Sequence, residues 1–343
     1  MSYYNKGGFD INTTHYQSPS SNPIKLWGIY NEPNINGLDA TQYTTLYNTV
    51  VPAMQTIDPS LHFVAVELAD FGTWEHDFLP AFASQVTAQV DAVATHFYST
   101  CNQQDTDQQI FNTVSGFGVG VTNIYSILNT PPANVALRTV PVWVTENNVN
   151  SDFAAANGKS TCNPTQTFVV DQRGSSAFFA AWRPYVFSQL GKAGTAVLYQ
   201  WVFAGDGQYG EVDDQTGNPR LSYWVDYWLQ HKFPSPPGAT LLDYTATDDP
   251  ELETLAVQNS DGSVVIMIAN HAVNAPADNN GAGAPRSVLI DTSGFFPPFQ
   301  TASVLTIDAN TNVITGPAEA SVGVAAQIPI TLNGYGVAFL TLK

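Results

Sequence analysis

Basic residues are scarce in this sequence. Only 11 of its 343 residues are Lys or Arg, against 29 Asp or Glu, which gives a formal net charge of −18 at pH 7. A surface with this excess of negative charge repels phosphate backbones and anionic lipid head groups. We therefore expect no nucleic-acid partner and no membrane partner.

The sequence also lacks the patterns of several common protein classes. It has no apolar run near 18 residues, so no transmembrane helix is predicted. It has no Gly-rich phosphate loop, no His-x-x-x-His pair, no Cys cluster and no Gly-x-Ser-x-Gly segment. A nucleotide site, a catalytic metal and a serine-hydrolase site are therefore not predicted, and we expect no cofactor.

Apolar and aromatic residues are abundant. Hydrophobic residues make up 44% of the chain, and at 343 residues this predicts a globular protein with a large core and two domains. The charged fraction is only 12%, and there are 15 Tyr and 7 Trp. This composition is more typical of a secreted carbohydrate-active protein than of a cytosolic one.

Apolar segments that read as strands alternate with segments of helical spacing up to about residue 233. The strands are predicted at 24–31, 62–70, 91–98, 140–148 and 196–205. Helical spacing follows each of them, with Asp39 as the expected N-cap of the first helix and the third helix predicted at 107–129. This alternation predicts parallel strands within an α/β layer.

The composition changes at the proline-rich segment 233–240, which is predicted to be a linker between a domain at 1–233 and one at 234–343. Short strands of alternating polarity are predicted beyond it, at 252–258, 263–269, 286–292, 301–307 and 335–342. An Asp-Gly pair between the first two is a strong hairpin signal. The second domain is therefore predicted to be an antiparallel β-sandwich of seven or eight strands.

Two of the parallel strands lead into a carboxylate. Glu32 follows the apolar run in WGIYNEPN, where proline must end the strand, and Glu146 follows the run in VWVTENN. The carboxyl ends of parallel barrel strands meet at one rim, so we expect the two side chains to lie close together. Such a pair can hydrolyse a glycosidic bond, and crowding raises the pKa of the carboxyl that must stay protonated.

These two segments resemble the catalytic segments of clan A glycoside hydrolases, which are retaining (β/α)8 enzymes. The order of the motifs and the ending NGYGVAFLTL are similar to family 39 first, and to families 30, 51 and 79. The resemblance implies a carbohydrate substrate, with Glu32 as the acid/base and Glu146 as the nucleophile. It also implies four substrate-binding residues. Asn31, at the end of strand four, would bind the sugar 2-hydroxyl, and Trp201, on strand eight, would stack on a sugar ring. His96 and Tyr98 lie on strand six, and Tyr98 would form a hydrogen bond with the nucleophile.

The resemblance also implies that strands are missing. If Glu32 ends strand four, the chain holds only strands four to eight of an α/β (β/α)8 TIM-type barrel, followed by the β-sandwich. Because the fold requires eight strand–helix units, we expect a chain truncated at its N-terminus. MSYYNKGGFD carries no visible signal peptide, and any signal peptide would have been lost with the missing part. The intact protein is expected to be secreted or periplasmic. The sugar, the linkage and the oligomeric state are not specified by the sequence.

Each residue also has a structural interpretation. Glu32 can cap a turn before proline, and Glu146 can be an acid favoured at a helix start. His96 can be an ordinary core histidine, and Tyr98 and Trp201 can fill the barrel. Glu67 ends another strand, where it can touch substrate, but we expect a structural role for it. The alternative functions are a catalytically inactive carbohydrate-binding relative and a structural sandwich protein with a vestigial half-barrel. Intact Glu32 and Glu146 favour an enzyme ancestry over both, but by themselves they do not show that the truncated chain is active.

The sequence has only two cysteines, Cys101 and Cys162. They lie in the loops that leave strands six and seven, and neighbouring loops on one rim can bring two cysteines within bonding reach. We expect a disulfide that stabilises an exported protein by roughly 3–4 kcal/mol. The alternative is a pair of unpaired loop thiols in a cytosolic protein.

Overall fold

The computed structural model describes residues 2–20, 22–69, 75–233, 239–245, 249–295 and 299–343. Within these ranges the α-helices, α1 to α6 in chain order, are Ser2–Asn5, Ala40–Ile57, Glu75–Gln85, Asp107–Asn129, Ala177–Lys192 and Leu221–Lys232. Short 3-10 helices span Val135–Thr139 and Gln172–Gly174. In the part of the chain described here, no helix is long and apolar enough to span a bilayer.

The β-strands of the same ranges number from β1 to β17. Those of the first two thirds, β1 to β9, are Phe9–Ile11, Thr14–Tyr16, Leu26–Gly28, His62–Leu68, Ala92–Thr100, Val142–Asn150, Val197–Leu198, Ala204–Gly205 and Val212–Asp213. The remainder, β10 to β17, are Thr240–Leu241, Leu252–Gln258, Val264–Asn270, Arg286–Asp291, Ala302–Asp308, Ala320–Val322, Gln327–Leu332 and Gly336–Leu342.

Five strands form a sheet in the order β3-β4-β5-β6-β7. The pairs β3–β4, β4–β5 and β6–β7 are parallel, and the helices α2 to α5 lie between successive strands of this series. A sheet that follows chain order with one helix per crossover is the repeating unit of a (β/α)8 barrel. The predicted fold class, a partial barrel of strands four to eight followed by antiparallel strands, is confirmed.

Two parallel strands are shorter than the sequence predicts. The strand expected at 24–31 is Leu26–Gly28, because the backbone turns left-handed at Tyr30, where φ is 71°. The strand expected at 196–205 pairs in the sheet only at Val197–Leu198. Beyond it the Val202 N–H donates to the Tyr209 carbonyl at 2.9 Å, so this segment pairs with its own following loop.

The chain divides into two compact units. The first comprises Met1–Phe97, Phe117–Asn147 and Gly191–Tyr199. Its helix α2 begins at a capping box in which Asp39 and Gln42 each accept a backbone N–H from the other, which confirms the predicted N-cap. Four buried aromatic side chains of α2 and α3 pack together, with ring centroids 5.5–6.0 Å apart: Tyr43, Tyr47, Phe78 and Phe82.

The second unit comprises Tyr98–Gly116, Asn148–Leu190 and Gln200–Lys343. It contains a six-stranded sheet in the order β10-β11-β12-β17-β14-β15 and a separate antiparallel pair, β13–β16. Residues of both, such as Ile268 and Ile330, belong to one hydrophobic cluster. The Asp-Gly hairpin joins β11 to β12 as predicted. Most of the predicted linker, 234–238, lies outside the described residues, so the boundary after residue 233 stays a prediction.

The two cysteines are joined in the second unit. Cys101 and Cys162 form a disulfide with Cα atoms 5.8 Å apart, and it closes a loop of 61 residues. The Cys162 N–H also donates to the Asp152 carboxylate at 3.1 Å, which fixes the loop that carries it.

Removing this disulfide is expected to lower stability substantially. In the double variant Cys101→Ala/Cys162→Ala, the free energy of unfolding should fall by about 2–5 kcal/mol because the unfolded chain regains the freedom of the closed loop. Urea unfolding measures the loss, and a reducing agent should destabilise the parent but leave the double variant unchanged. Two thiols that titrate in the native, unreduced protein would contradict the bridge.

A half-buried carboxyl pair in the second unit links stability to pH. The Arg183 guanidinium bonds both carboxylate oxygens of Asp226, at 2.8 and 3.0 Å. Burial raises the pKa of the neighbouring Glu211 to about 8, and the negative charge of Asp226 adds to the shift. Near neutral pH, Glu211 therefore holds a proton in the folded state that it releases in the unfolded chain.

The sign of the pH effect follows from this shift. The contribution of Glu211 is fully present below its unfolded pKa of 4.5 and is lost as pH rises towards 8, because a charge then forms beside Asp226 in the folded protein. Urea unfolding at pH 5 and pH 8.5 should show a smaller decline for Glu211→Gln than for the parent. Asp214→Asn, at an exposed aspartate, is the matched control. Equal declines in the parent and Glu211→Gln would refute this linkage.

Candidate active site

Glu32 lies in a tight turn just beyond β3. Its φ is 49°, and its carbonyl accepts the N–H groups of Ile35 and Asn36 at 3.2 and 2.9 Å. The Glu32 N–H donates in turn to the backbone carbonyl of Glu67 at 3.1 Å. The carboxylate is thus carried by a loop four residues past the strand and not by the strand end itself, which corrects the sequence prediction. The cause is the left-handed backbone at Tyr30 and Glu32, which leaves the ladder early.

The next strand, β4, has a bulge beside this turn. Its pairing with β5 shifts between Ala65 and Leu68, and the residues between them, Val66 and Glu67, have φ values of 69° and 42°. A β-branched residue with positive φ is an outlier that its surroundings must hold in place. Here the buried Tyr43 hydroxyl accepts the Val66 N–H at 2.7 Å. The bulge is what turns the Glu67 carbonyl towards Glu32.

His96 joins the two predicted catalytic carboxylates. It is a fully buried residue of β5, and its Nδ1 lies 2.8 Å from Oε1 of Glu32 and 3.5 Å from Oε2 of Glu146. Its Nε2 is buried with no hydrogen-bond partner among the described residues. This geometry assigns the ring proton to Nδ1, from which it is donated to Glu32.

Glu146 lies inside β6 and not at its end, because the strand continues to Asn150. The side chains of Glu32 and Glu146 are 20% and 13% exposed, so each remains accessible from solvent. One oxygen of each carboxylate and one nitrogen of His96 all lie within 4.8 Å of one another. The nearest oxygens of the two carboxyl groups are therefore close enough for the pair to act on one glycosidic bond.

The same three ligand atoms are also of the kinds that bind divalent metals, since carboxylate oxygen and imidazole nitrogen are common ligands. In the present arrangement the Nδ1 proton of His96 already engages Glu32, so metal binding requires that this bond be broken. The arrangement is therefore compatible both with proton transfer between these groups and with a metal ion that takes the place of the Nδ1 proton.

A third carboxyl lies near this pair. Burial raises the pKa of Glu67, His96 lowers it, and the negative charge of Glu146 raises it further. The sequence placed Glu67 at a strand end, where it can touch substrate, but a structural role was expected for it. The bulge that turns it towards the site is set by backbone dihedral angles that residue types in a strand do not reveal.

The other predicted site residues are distributed over both units. Asn31 is exposed beside Glu32, and its carbonyl accepts the Asn36 side-chain amide at 3.1 Å. In the second unit, Tyr98 is half-buried on β5, while Trp201 is 46% exposed and its carbonyl accepts the Asn148 amide at 2.6 Å. Their predicted contacts with sugar stay predictions.

The fold is shared with glycoside hydrolases of known structure, although no protein-family model and no curated protein matches the chain. A family 51 α-L-arabinofuranosidase from Thermotoga petrophila is similar with a TM-score of 0.66 at 16% identity, covering 100% of this chain and 72% of that one. A family 39 enzyme from Xanthomonas axonopodis pv. citri has a TM-score of 0.58 at 16% identity, with 92% and 67% covered. A family 30 endoxylanase from Clostridium papyrosolvens has a TM-score of 0.57 at 14% identity, with 93% and 66% covered. At these identities the likeness establishes the fold of the chain, which is that of the families its motifs resemble.

The Tyr43 hydroxyl is expected to hold the bulge. In Tyr43→Phe the buried Val66 N–H loses its acceptor, so the free energy of unfolding should fall by about 1–3 kcal/mol. Chemical denaturation measures the change, and Tyr4→Phe, at an exposed tyrosine, should stay within about 0.5 kcal/mol of the parent. A Tyr43→Phe protein as stable as the Tyr4→Phe control would show that the bulge does not depend on this bond.

Proposed function

We propose that this chain is a retaining O-glycosidase that acts on polysaccharides or oligosaccharides by double displacement. Glu32 is the acid/base and Glu146 is the nucleophile. The single observation that carries the proposal is the close approach of their carboxylate oxygens, within 4.8 Å, beside the parallel sheet. The fold shared with arabinofuranosidases, xylanases and a family 39 enzyme supports it.

The first half of the reaction forms a covalent intermediate. A carboxylate oxygen of Glu146 attacks the anomeric carbon, and the bond from that carbon to the glycosidic oxygen breaks. The departing oxygen keeps the bonding electron pair and takes a proton from Glu32. His96 donates to Oε1 of Glu32, which leaves Oε2 of the same carboxyl to carry the transferable proton.

The second half releases the sugar. A water molecule gives a proton to the Glu32 carboxylate as its oxygen bonds the anomeric carbon, and the bond from that carbon to Glu146 breaks. Both carboxyl groups then return to their starting protonation states. Two inversions at one carbon give a product with the configuration of the substrate.

The remaining assignments rest on the resemblance. Asn31 binds the sugar 2-hydroxyl, Tyr98 bonds the nucleophile, and Trp201 stacks on a sugar ring. The side chain of Trp201 is 46% exposed, so a sugar ring can reach its indole. The protein acts outside the cytosol, because a disulfide between Cys101 and Cys162 persists in oxidising compartments.

Azide rescue separates the two roles. With an activated aryl glycoside, Glu146→Ala should lose turnover, and azide should restore it by attacking from the vacated face, giving a glycosyl azide of inverted configuration. Glu32→Ala should slow substrates with poor leaving groups by roughly 10²–10⁴-fold, because protonation matters most for them. With this variant, azide should give a product of retained configuration. Nuclear magnetic resonance of the products measures both outcomes.

The controls address the alternatives. Asp77→Ala removes an exposed carboxylate of α3 and should retain parental turnover. A chelator should leave turnover unchanged, whereas a metal held by Glu32, His96 and Glu146 predicts its loss. A chain that binds oligosaccharide but hydrolyses no glycoside would leave the carbohydrate-binding alternative in place of the enzyme.

A further inference from the structure

Glu32, His96 and Glu146, here called the site triad, bring three possible metal ligands together in the first unit. Nδ1 of His96 lies 2.8 Å from Oε1 of Glu32 and 3.5 Å from Oε2 of Glu146, and one ligand atom of each residue lies within 4.8 Å of the other two. Ligand atoms in a tetrahedral zinc site lie about 2.0–2.2 Å from the ion, which places them roughly 3.3–3.6 Å from one another. The observed separations lie on both sides of this range, so small rotations of the glutamate side chains are enough to admit an ion.

The imidazole of His96 is free to change its tautomer. Its Nε2 is buried with no hydrogen-bond partner among the described residues, so no donor group blocks this nitrogen. The proton that now lies on Nδ1 can therefore move to Nε2 when Nδ1 becomes a ligand. A neutral imidazole with one nitrogen on the metal and the proton on the other is the form in which histidine binds metals. The ring thus changes its tautomer and keeps its charge.

The ligand set selects one class of cation. Imidazole nitrogen together with carboxylate oxygen suits zinc and neighbouring transition metals. Mg²⁺ and Ca²⁺ prefer about six to eight ligands, mainly oxygen, whereas the site triad supplies one nitrogen and two oxygens. The side chains of Glu32 and Glu146 are 20% and 13% exposed, so an ion can enter from solvent and keep a water molecule as its fourth ligand.

We propose that the site triad is a reversible inhibitory site for a divalent transition-metal ion of the zinc class. The inference rests on the proposed glycosidase function and gives its regulation. The ion binds an oxygen of Glu146, which then cannot attack the anomeric carbon. Metal ligands have to be deprotonated, so the transferable proton of Glu32 is released to solvent and the departing oxygen has no donor. The metal-free protein is the active form, and a chelator added without metal leaves its turnover unchanged.

Thiols offer zinc no other route to inhibition, because both cysteines of the sequence are joined in the disulfide. Exposed histidines beside a carboxylate are competing surface sites. Nδ1 of His15 lies 2.8 Å from Asp10, and Nδ1 of His62 lies 3.3 Å from Asp91. The double variant His15→Gln/His62→Gln removes both surface sites and leaves the site triad intact, so it is the matched control.

Titration calorimetry with Zn²⁺ alone tests the site without any substrate. In the His15→Gln/His62→Gln background, Glu146→Gln keeps the shape of the side chain but loses the anionic ligand, so Zn²⁺ should bind at least about tenfold more weakly. His96→Gln should show the same loss. Because Glu146 is partly exposed, its variant decides the question even where replacement of the buried His96 disturbs the fold. Mg²⁺ at the same concentration should give no binding signal.

Kinetics with the 4-nitrophenyl glycoside that the chain cleaves best test the inhibition. Because the ion and the sugar need the same carboxylate oxygens, Zn²⁺ should raise KM in proportion to its concentration and leave kcat unchanged. The His15→Gln/His62→Gln variant should be inhibited as strongly as the parent, since its site triad is intact. A chelator added after Zn²⁺ should restore the original KM.

The outcomes separate this inference from the function on which it rests. A parent protein that hydrolyses no glycoside contradicts the proposed function, and calorimetry still decides whether the site triad binds zinc. If the parent hydrolyses glycosides, the metal inference alone fails in any of three cases. These are a Zn²⁺ effect on kcat without a change in KM, inhibition that disappears in His15→Gln/His62→Gln, and Zn²⁺ binding that Glu146→Gln leaves unchanged.

Discussion

The hydrogen bond from His96 to Glu32 is the contact on which the account of the site depends. Nδ1 of this fully buried ring lies 2.8 Å from Oε1 of Glu32, to which it donates, and 3.5 Å from Oε2 of Glu146, so the ring adjoins both carboxyl groups. The donor is fixed because it belongs to β5, which lies between the other strands of the parallel sheet.

The backbone near this hydrogen bond departs from regular strand geometry in the segments that carry the site residues. Left-handed residues in the turn after β3 and in the bulge of β4 bring the Glu32 N–H to the Glu67 carbonyl. Such conformations are costly, so the surrounding structure has to hold them, and Tyr43 does so through its buried hydroxyl. A regular helix and a regular strand flank each irregular segment. The site is thus a strained segment supported by regular elements.

The sequence was sufficient for the elements with strong periodicity. The helix predicted at 107–129 is Asp107–Asn129, and the strand predicted at 252–258 is Leu252–Gln258. The sequence did not predict the segments whose backbone conformation departs from the one that their residue types favour. The strand before Glu32 stops at Gly28, and β6 continues past Glu146, because turns and bulges are set by local dihedral angles and by tertiary hydrogen bonds. For the same reason the bulge at Val66 and Glu67 was not predicted, although the sequence placed Glu67 at a strand end where it can touch substrate.

Capture of the covalent intermediate tests the central claim most directly. An activated 2-deoxy-2-fluoro glycoside slows both steps, and its reactive leaving group allows the first to outrun the second, so the sugar remains attached to the nucleophile. Mass spectrometry of the intact chain and of its peptides should show one sugar, bound to the carboxyl of Glu146, and no adduct in Glu146→Ala. An adduct on another residue would contradict the account. It would also be contradicted by an unsubstituted protein that stays unmodified although it hydrolyses the same glycoside without fluorine.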